Sequence, residues 1–596
     1  ALNRRAVGLS LAVQIAASLT LVAGAVAVLA ERASIGAGFR GAVGPAFGID
    51  GLSAFFVAVV CATAVPALLV ARDTLRESQH ARPLASLSGV FLLAMIGVLT
   101  ARDVTTFLAG WELMTLVPAG MILVARRDAI VRRAVFVYLA ITHLGGVGVW
   151  IALLTLAHEN AFGGALIGAG PQAFVMVMAT VGFGTKAGLM PMHSWLPRAH
   201  PVAPAHISAL MSGVMIKVAL YGLIRVLFEW VGPAPEWIGI VLLSLGVLSC
   251  LGGVLYAIVQ HELKRLLAFH SIENVGIIAL GLGAALILRA QHEPFWGAIA
   301  FGAALMHTAN HAAFKALLFL GAGAFGHAVG GLELDRLGGL LRRMPWTGWC
   351  FFVGCAAIAG LPPLNGFASE WLTLQVLLHV SFVDHAGTSI AGALATAGLA
   401  VTAALALYCF VKVIGLVLLG AARTPRAAQA EEAPKQTRAA MLILAGACGV
   451  LGLTPGLLLP TLAGLAPGGV DLDRHVGIDL PGTGGLPSLG IAVVLVLVTA
   501  IVWRLAGAKP RALPAPTWTC GQPVVSALDW TSTGFTKPLG LALEAVFRPR
   551  RNVEVTGRGA LITEVVHRTE VPHLFDTAIY GPVNRGALRL AAIARR

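Results

Sequence analysis

Hydrophobic residues occur in long, nearly continuous runs along this chain, and short basic segments separate each run from the next. An α-helix needs about 18 or more apolar residues to cross the hydrocarbon core of a bilayer. By that length the sequence predicts an all-α, polytopic membrane protein with about 14 transmembrane helices. The predicted helices are Ala6–Ala30, Gly51–Ala71, Leu84–Ala101, Val104–Ala125, Ala134–Ala157, Ala173–Leu189, Ala205–Phe228, Glu229–Gln260, Leu263–Arg289, Phe295–Phe325, Trp346–Leu377, Ile390–Leu419, Ala439–Leu462 and Pro487–Ala506.

The composition supports the membrane class. Of the 596 residues, 57% are hydrophobic and only 12% are charged, which excludes an ordinary soluble globular protein. The pattern also argues against a membrane β-barrel, because its strands would show short segments of alternating polarity instead of long apolar runs. The lipid bilayer is therefore the first predicted partner of the chain.

The net charge of +14 comes from basic residues that concentrate in short loops between the predicted helices. Such a charge can indicate a nucleic-acid partner, but the positive-inside rule accounts for the distribution, and no nucleic acid is expected. The basic loops share one side of the membrane if successive helices alternate in direction: they are 4–5, 72–82, 126–133, 261–265, 336–343 and 423–438. We expect these loops, the residue 1 end and the tail after Ala506 to be cytoplasmic, in the inner membrane of a bacterium or archaeon.

Four of the eight lysines lie inside apolar runs, whereas the arginines cluster between runs. The four are Lys186, Lys217, Lys315 and Lys412. An ammonium at the centre of a bilayer costs at least about 2.5–3.5 kcal/mol on insertion scales. Unlike arginine, lysine can lose its proton when it is desolvated. Lysines at this depth indicate groups that change charge, as a proton pathway requires.

Prolines interrupt two of the predicted helices at apolar depth. Pro191 breaks the sixth helix, and Pro362 and Pro363 break the eleventh. Such breaks free backbone carbonyls and are tolerated in membranes where they line protein or a wet cavity. A single break is often only a kink, but two breaks with an ionisable residue near each predict elements of an ion pathway.

The offset of five helices between the two breaks predicts an inverted repeat, because an odd offset reverses the direction of equivalent helices. The predicted domains are N-terminal helices at 1–80, repeat A at 84–228, repeat B at 229–420, a linker with the C-terminal helices at 421–507, and a cytoplasmic tail at 508–596. In this arrangement Lys186 corresponds to Glu370, and Lys217 corresponds to Lys412 on the fifth helix of each half.

Glu112 lies in the middle of the fourth predicted helix, with no charged neighbour within a helical turn. A carboxylate at this depth must pair with a cation or take up a proton, and Lys186 and Lys217 are the cations available in the same half. A static structural ion pair is the alternative.

His307, His311 and Lys315 are spaced i, i+4 and i+8, so they share one face of the tenth predicted helix. This ladder suits the transfer of protons along a hydrated file. Zinc binding by the two histidines is the alternative, although the sequence has no H-E-x-x-H motif and no carboxylate nearby. His143 occupies the corresponding helix of the other half.

No motif for a resident cofactor is found in the sequence. The seven cysteines are scattered and include no C-x-x-C, so neither an iron–sulfur nor a zinc site is expected. The phosphate-binding motif G-x-x-x-x-G-K-[ST] is also missing, which argues against ATP-driven transport. We therefore expect no cofactor and no metal on this chain, and we expect its energy to come from an ion gradient or a partner.

Several motifs resemble those of the antiporter-like membrane subunits, a superfamily that includes complex I proton-pumping subunits, Mrp-type sodium/proton antiporter subunits and group 4 membrane hydrogenases. They are Trp111-Glu112, the segments 186–204, 213–225 and 262–271, the ladder of His307, His311 and Lys315, and the segment 360–370. Within the superfamily, the run Pro-Pro-Leu-Asn-Gly-Phe-Ala-Ser-Glu-Trp371 and the tail around Cys520 are similar to the large subunit of formate hydrogenlyase and related group 4 hydrogenase complexes.

The resemblance implies a proton-translocating subunit of a hydrogenase-like or formate-hydrogenlyase-like respiratory complex, with no redox chemistry of its own. It implies other membrane subunits and a peripheral hydrogenase-like redox arm as partners, and nickel–iron and iron–sulfur cofactors in those partners. Protons would enter at Glu112 with Lys186, pass through Lys217 and the histidine–lysine ladder, and leave at Glu370. Such subunits usually carry one more helix before the residue 1 end, which is consistent with a truncated start of this sequence.

Three alternatives stay open at this point. The chain resembles complex I or Mrp-type sodium/proton antiporter subunits almost as well, and a bicarbonate-uptake subunit working with a soluble zinc protein is a second possibility. A membrane anchor with a vestigial ion pathway is the third, although the complete set of mid-span ionisable groups argues against it.

The charged tail lacks the apolar length to span the membrane again. Its aromatic residues predict a contact with a partner protein: they are Trp518, Trp530, Phe535, Phe547 and Tyr580. The alternative is a tail that lies on anionic lipid through basic residues such as Arg548, Arg550 and Arg551.

Overall fold

Helices make up most of the computed structural model, which describes residues 2–41, 44–163, 167–481, 485–505, 521, 529–558, 561–572, 574–582, 585–586 and 589. In chain order they are α1 (Leu2–Glu31), α2 (Gly51–Thr74), α3 (Ala81–Thr100), α4 (Val104–Ala125), α5 (Ala129–His158), α6 (Ala169–Ala187), α7 (Leu196–Val202), α8 (Ala205–Leu210), α9 (Ile216–Ile224), α10 (Glu236–Ile258), α11 (Leu263–Ala290), α12 (Pro294–Val329), α13 (Leu340–Arg343), α14 (Pro345–Ile358), α15 (Asn365–Val380), α16 (Ala386–Val413), α17 (Pro425–Ala428), α18 (Lys435–Leu453), α19 (Pro455–Ala463), α20 (Ser488–Leu505), α21 (Ser532–Ala542) and α22 (Glu544–Phe547). Within the described residues, 12 helical spans are long and apolar enough to cross a membrane. The prediction of a multi-span α-helical membrane protein is confirmed.

The difference between the fourteen predicted helices and these 12 spans lies in the two broken helices. The sixth predicted helix corresponds to α6, which ends at the first break, and the eleventh is divided into α14 and α15. The two halves of the second break are only 14 and 16 residues long, so neither reaches the length of a full span.

The first break begins where Gly188 takes a left-handed φ of 90°, and α7 does not start until Leu196. A left-handed glycine is the common way for a helix to end, because it has no Cβ to clash with the preceding turn. The structure places Pro191 inside this non-helical segment. The indole N–H of Trp195 donates to the carbonyl of Thr185 at 2.8 Å, which satisfies one of the carbonyls that the break leaves free.

The second break is built in the same way. Gly360 takes a left-handed φ of 64° after α14 ends, and Pro362 and Pro363 lie in the non-helical segment before α15. Each break therefore combines a left-handed glycine with prolines, and each is followed by a helix that points polar side chains into the interior.

The start of the eighth predicted helix was wrong by several residues. The sequence predicted a helix from Glu229, whereas α10 begins at Glu236. Pro233 and Pro235 cannot donate hydrogen bonds to a continuing helix, and Gly232 turns the chain with a φ of 78°. The residues before this turn belong to the end of the preceding span, in the π-helical segment Arg225–Trp230.

Helices α10 and α11 pack closely through glycines that repeat every seven residues. Gly239 and Gly246 on α10 face Gly283 and Gly276 on α11, and a Cβ atom at any of these positions would lie within 3.0 Å of the opposite helix. Small residues let membrane helices approach until their backbones touch. Helix α11 is buried along its whole apolar window, so this contact fixes the central helix of the protein.

The fifth helix of each predicted half departs from α-helical geometry close to its lysine. Lys217 lies on α9 between two π-helical segments, Met211–Met215 and Arg225–Trp230, and Lys412 lies two residues before the π-helical segment Ile414–Leu418. Segments of π-helix are rare and frequent at functional sites. The likeness supports the correspondence of the two lysines, while the inverted repeat and the domain boundaries remain predictions.

Strands occur only as two small antiparallel pairs in the described part of the chain. One pair joins β1 (Ile35–Gly36) and β2 (Gly48–Ile49), and the other joins β3 (Arg550–Arg558) and β4 (Leu561–Glu570) in the tail. Both lie outside the apolar spans. Trp518 and Cys520, which the sequence singled out in the tail, lie outside the described residues.

Candidate functional site

Lys186 lies in the last turn of α6, directly before the break, and its side chain is buried. Its ammonium donates a hydrogen bond to the hydroxyl of Thr115 on α4. The nitrogen also lies 5.4 Å from the ring centre of Trp111 and 5.9 Å from that of Tyr138, which are cation–π distances. These contacts hold the lysine between α4 and α5 at the point where the helix stops.

Glu112 does not form the direct ion pair with Lys186 that the sequence predicted. Its carboxylate lies 3.3 Å from the imidazole of His143 and accepts a hydrogen bond of 3.0 Å from the indole of Trp150, both on α5. Thr115, one turn later on α4, takes the place of Glu112 as the partner of Lys186 because the carboxylate leans toward α5. The charge of Glu112 still acts on Lys186, so the two groups interact without a direct contact.

Glu112 and His143 differ from the other candidates in being partly exposed. The side chain of Glu112 is 28% accessible and that of His143 is 42% accessible, whereas Lys186 is 1% accessible. The structure therefore brings Glu112 and His143 together at one edge of the helix bundle. The sequence assigned His143 only by its place in the repeat and did not predict this contact.

Lys217 and Lys315 are joined by a short series of hydrogen bonds through α11. The ammonium of Lys217 donates to the carbonyl of Ser212 at 2.7 Å, and the hydroxyl of Ser212 is 2.7 Å from that of Ser271. Ser271 donates to the carbonyl of Leu267, which also accepts a hydrogen bond of 2.6 Å from the ammonium of Lys315. Both lysines are fully buried, and their charges act on each other.

Glu273 is the most important residue that the sequence analysis missed. It is buried on α11, and its carboxylate is hydrogen-bonded to the imidazole of His270 one turn earlier. Its charge acts on Lys315 and on Glu370. The signal was present in the predicted repeat, because Glu273 lies on the second helix of its half, as Glu112 does in the other half.

The histidine ladder on α12 connects α11 with the second broken helix. The ring of His307 is hydrogen-bonded to Asn274 on α11 at 3.2 Å and to Ser369 on α15 at 2.9 Å. The ring of His311 stacks parallel to that of His307, with their centres 6.4 Å apart. The predicted ladder is thus present as a buried polar contact between three helices.

Glu370 follows Ser369 directly on α15 and is buried. Its carboxylate lies against the backbone of the break, so close that a Cβ atom at Gly360 would be 2.7 Å from one carboxylate oxygen. Glycine favours this position through its left-handed φ, and it leaves room for the carboxylate to lie against the backbone. The break and the acid therefore form one local structure.

Lys412 lies apart from this central group. Its ammonium donates to the carbonyl of Ile258 at 2.5 Å and to that of Gln260 at 3.1 Å, at the end of α10 that leads into the basic loop 261–265. It lines a cavity of about 240 Å³ together with residues of the loop after α16 and of the tail. The structure places this lysine near a surface opening on the side of that basic loop.

Two further buried histidines lie near the centre, and sequence reasoning had passed over both. Neither ring nitrogen of His200 has a hydrogen-bond partner among the described residues, and the same holds for His311 and for the Nε2 atom of His206. The charges of Lys217 and Lys315 act on His200, so it lies near both halves of the centre. Buried polar groups of this kind are commonly hydrogen-bonded to internal water.

No group of three or more His, Cys, Asp or Glu side chains is arranged to hold a metal ion in the described part of the chain. The ring of His307 is hydrogen-bonded to an amide and a hydroxyl, and the ring nitrogens of His311 have no hydrogen-bond partner among the described residues. The zinc alternative for this histidine pair therefore has no support from the geometry.

A separate ion cluster joins the start of α2 to the end of the span Ala205–Trp230. Asp50 caps the start of α2 and pairs with Arg225 at 2.5 Å and with Arg102 at 3.1 Å. Burial alone would raise the pKa of Asp50, but the two guanidinium groups and the backbone N–H of Ser53 hold it below its ordinary value. This cluster fixes the ends of three helices together.

The sequence profile of a family described as "NADH:quinone oxidoreductase/Mrp antiporter, TM" matches residues 101–398. The chain is 34% identical to hydrogenase-4 component B of Escherichia coli over 566 residues, which cover 91% of this chain and 84% of that protein. It is 36% identical to formate hydrogenlyase subunit 3 of the same organism over 377 residues, which cover 63% of this chain and 61% of that protein.

The fold has a close counterpart among solved structures. A chain of the membrane-bound sulfane sulfur reductase, an archaeal respiratory membrane complex, superposes with a TM-score of 0.76. The superposition covers 99% of this chain and 95% of that chain, at 23% sequence identity. Because the identity is low, this likeness concerns the fold alone.

Proposed function

Because the chain belongs to the NADH:quinone oxidoreductase/Mrp antiporter membrane family and is an antiporter-like membrane subunit, we propose that it moves protons across the bilayer for a hydrogenase-like respiratory complex. The observation that carries this proposal is the buried series of ionisable groups on adjacent helices, from Lys186 through Lys217, Lys315 and Glu273 to Glu370. Ionisable groups at membrane depth are costly and usually functional.

The central pair gives the transfer a physical basis. Lys217 and Lys315 are joined through α11 and feel each other's charge, so a proton that arrives on one disfavours a proton on the other. The charge of Glu273 interacts with those of Lys315 and Glu370, so its carboxylate can accept a proton that Lys315 releases. The carbonyls in the series hold the lysines in place and do not carry protons, so the transfer itself requires water between the side chains.

Glu112 and His143 lie at the start of the pathway in this proposal. A partly exposed carboxylate at an apolar surface is costly unless another protein covers it. We infer that a neighbouring membrane subunit packs against this edge. A change in the charge of that subunit would then act on Glu112 and, through Glu112, on Lys186. This contact would connect the chain to the rest of its complex.

The redox chemistry belongs to partner subunits in this proposal. Nickel–iron and iron–sulfur cofactors would lie in a peripheral arm, and this chain would supply only the membrane pathway. The relatives named component B of hydrogenase-4 and subunit 3 of formate hydrogenlyase support such an assembly. The basic loops would face the cytoplasm, together with the tail.

The test uses the whole complex in liposomes, with the redox rate and the internal pH recorded together. The variant Lys315→Met removes the central relay, and Lys435→Met is the matched control because that lysine is exposed at the start of α18. We expect Lys315→Met to keep a measurable redox rate while the number of protons moved per turnover falls to background. Proton transport that continues in Lys315→Met, or the uptake of radioactive sodium in place of protons, would contradict the proposal.

A further inference from the structure

Two stretches of the tail fold back onto the membrane part of the same chain. The first contains residues 574–580 and contacts the non-helical segment 188–195 of the first broken helix together with the start of α7. The second contains residues 529–536 and covers the opening beside Lys412. We refer to these stretches as the distal strap (574–580) and the proximal strap (529–536).

The distal strap binds the broken helix through several polar contacts. Asp576 accepts hydrogen bonds from the hydroxyl of Ser194 at 3.1 Å and from the guanidinium of Arg198 at 2.5 Å. The hydroxyl of Tyr580 donates to the carbonyl of Pro191 at 2.8 Å. The ring of Phe575 meets that of His193 edge to face, at 5.3 Å between centres.

These contacts use the groups that the break itself exposes. Pro191 follows Lys186 by five residues, and its carbonyl would otherwise lack the hydrogen bond of a continuous helix. The backbone N–H of Leu574 is in turn held by the hydroxyl of Tyr256 at 2.8 Å, near the end of α10. The distal strap therefore joins the first break to the neighbouring helix of the second half.

The proximal strap covers the opening beside Lys412. The hydroxyl of Ser532 donates to the carbonyl of Gln260, which also accepts from Lys412. The ring of Phe535 lies 4.9 Å from that of Tyr408, whose hydroxyl donates to the carbonyl of Phe535 at 2.6 Å. Both straps thus lie on the side of the basic loop 261–265. The distal strap contacts the first broken helix, and the proximal strap contacts the residues around Lys412.

We propose that the distal strap positions the first broken helix for proton transfer, and that Asp576 is the positioning residue through its ion pair with Arg198. This inference rests on the proposed function. Asp576 touches neither Lys186 nor any other group of the pathway among the described contacts, so it acts through the segment between them. If the strap leaves, Ser194 and the carbonyl of Pro191 lose their partners, and the segment 188–195 that follows Lys186 is free to change shape.

The exposure of the pair separates this role from simple stabilisation. The side chains of Arg198 and Asp576 are 35% and 24% accessible, and ion pairs of that kind contribute little to folding. The charges of Arg265 and Glu262 belong to the same neighbourhood, since Arg265 interacts with Arg198, Glu262 and Asp576. The expected effect therefore lies in proton transfer and much less in the amount of folded protein.

The test compares three variants in the intact complex in liposomes: Asp576→Asn, Arg198→Gln, and the charge exchange Asp576→Arg with Arg198→Asp. The control Glu431→Gln removes the same charge from an exposed position in the loop before α18. We expect each single variant to lower the protons moved per redox turnover about two- to fivefold, because the loss of one partly exposed pair shifts a two-state equilibrium by a factor of that size. The exchange should restore most of that loss, while all variants assemble normally.

Three results would overturn the inference. They are unchanged transport in Asp576→Asn, a charge exchange that restores nothing, and a loss of neighbouring subunits from the complex that carries Asp576→Asn. The last result would indicate instead that this part of the tail binds a partner. A short thiol crosslinker between Ser194→Cys and Asp576→Cys tests the contact itself, without a transport measurement. A wild-type complex that moves no protons would refute the proposed function, whereas the crosslink would still show whether the distal strap is in place.

Discussion

The contact between Gly360 and Glu370 allows the position of one acid to be changed almost without touching its chemistry. Replacing Gly360 by alanine places a Cβ atom 2.7 Å from a carboxylate oxygen, whereas ordinary contacts begin at 3.4 Å. The carboxylate must therefore withdraw by about 0.7 Å, the difference of those distances. The same substitution also forces alanine into the left-handed region at a φ of 64°, which costs about 1–2 kcal/mol.

Gly468 provides the control that separates the two effects. It has a similar left-handed φ of 73°, but a Cβ atom there would meet nothing within 4 Å. Gly468→Ala should therefore lose the same 1–2 kcal/mol or so of backbone energy without moving the carboxylate of Glu370. Since the end of a glutamate side chain moves easily, we expect Gly360→Ala to be only slightly less stable than Gly468→Ala.

The assay measures both variants as purified complexes, by the midpoint of thermal unfolding in detergent and by proton transport in liposomes. We expect similar midpoints for the two variants, together with a clear loss of proton transport in Gly360→Ala alone. A displacement of about 1 Å in a reacting group can cost on the order of 100-fold in rate, so even a partial effect is measurable. Equal transport by the two variants would show that the position of the Glu370 carboxylate does not matter and would refute the role given to this acid.

Two further predictions concern single polar contacts. Thr115→Val removes the acceptor of the Lys186 ammonium and leaves a buried donor unpaired, which costs about 1–3 kcal/mol, so we expect proton transport to fall. Thr115→Ser keeps the hydroxyl and should retain transport. Equal transport by the two variants would contradict a role for this hydrogen bond. The low pKa of Asp50 means that its contribution to stability is present above the ordinary carboxyl value of about 3.9 and is lost as the pH falls through the lower folded value. Thermal unfolding of wild type and Asp50→Asn should therefore differ at pH 7 and converge only in strong acid; a difference that disappears near neutral pH would indicate another cause.

The membrane architecture could be predicted from sequence because each long apolar run must satisfy its own backbone inside lipid. The breaks could be predicted as well, since proline removes a donor wherever it stands, and both predicted breaks are present around Pro191 and around Pro362. The turn before α10 was less visible, because its residues Trp230 and Val231 are apolar and the proline signal was read as part of a longer run.

The partners of the ionisable side chains could not be predicted in the same way. Sequence spacing places Glu112 and Thr115 on nearly the same face of α4, but only packing decides which of them turns toward Lys186. Glu273 was not predicted, although it lies on the second helix of its half, as Glu112 does in the other half. The contacts of the straps could not be predicted from the sequence, since a contact between residues 576 and 198 depends on how the whole chain folds.

The glycine seam between α10 and α11 limits where this protein can move. Two backbones in direct contact have no layer of side chains that could repack, so these helices cannot slide or tilt past each other without a clash. Glu273 and Ser271 lie on α11, so we expect them to keep their positions relative to α10 during transport. We therefore expect the movements that open and close the pathway to occur in the two broken helices, while α10 and α11 stay in place relative to each other.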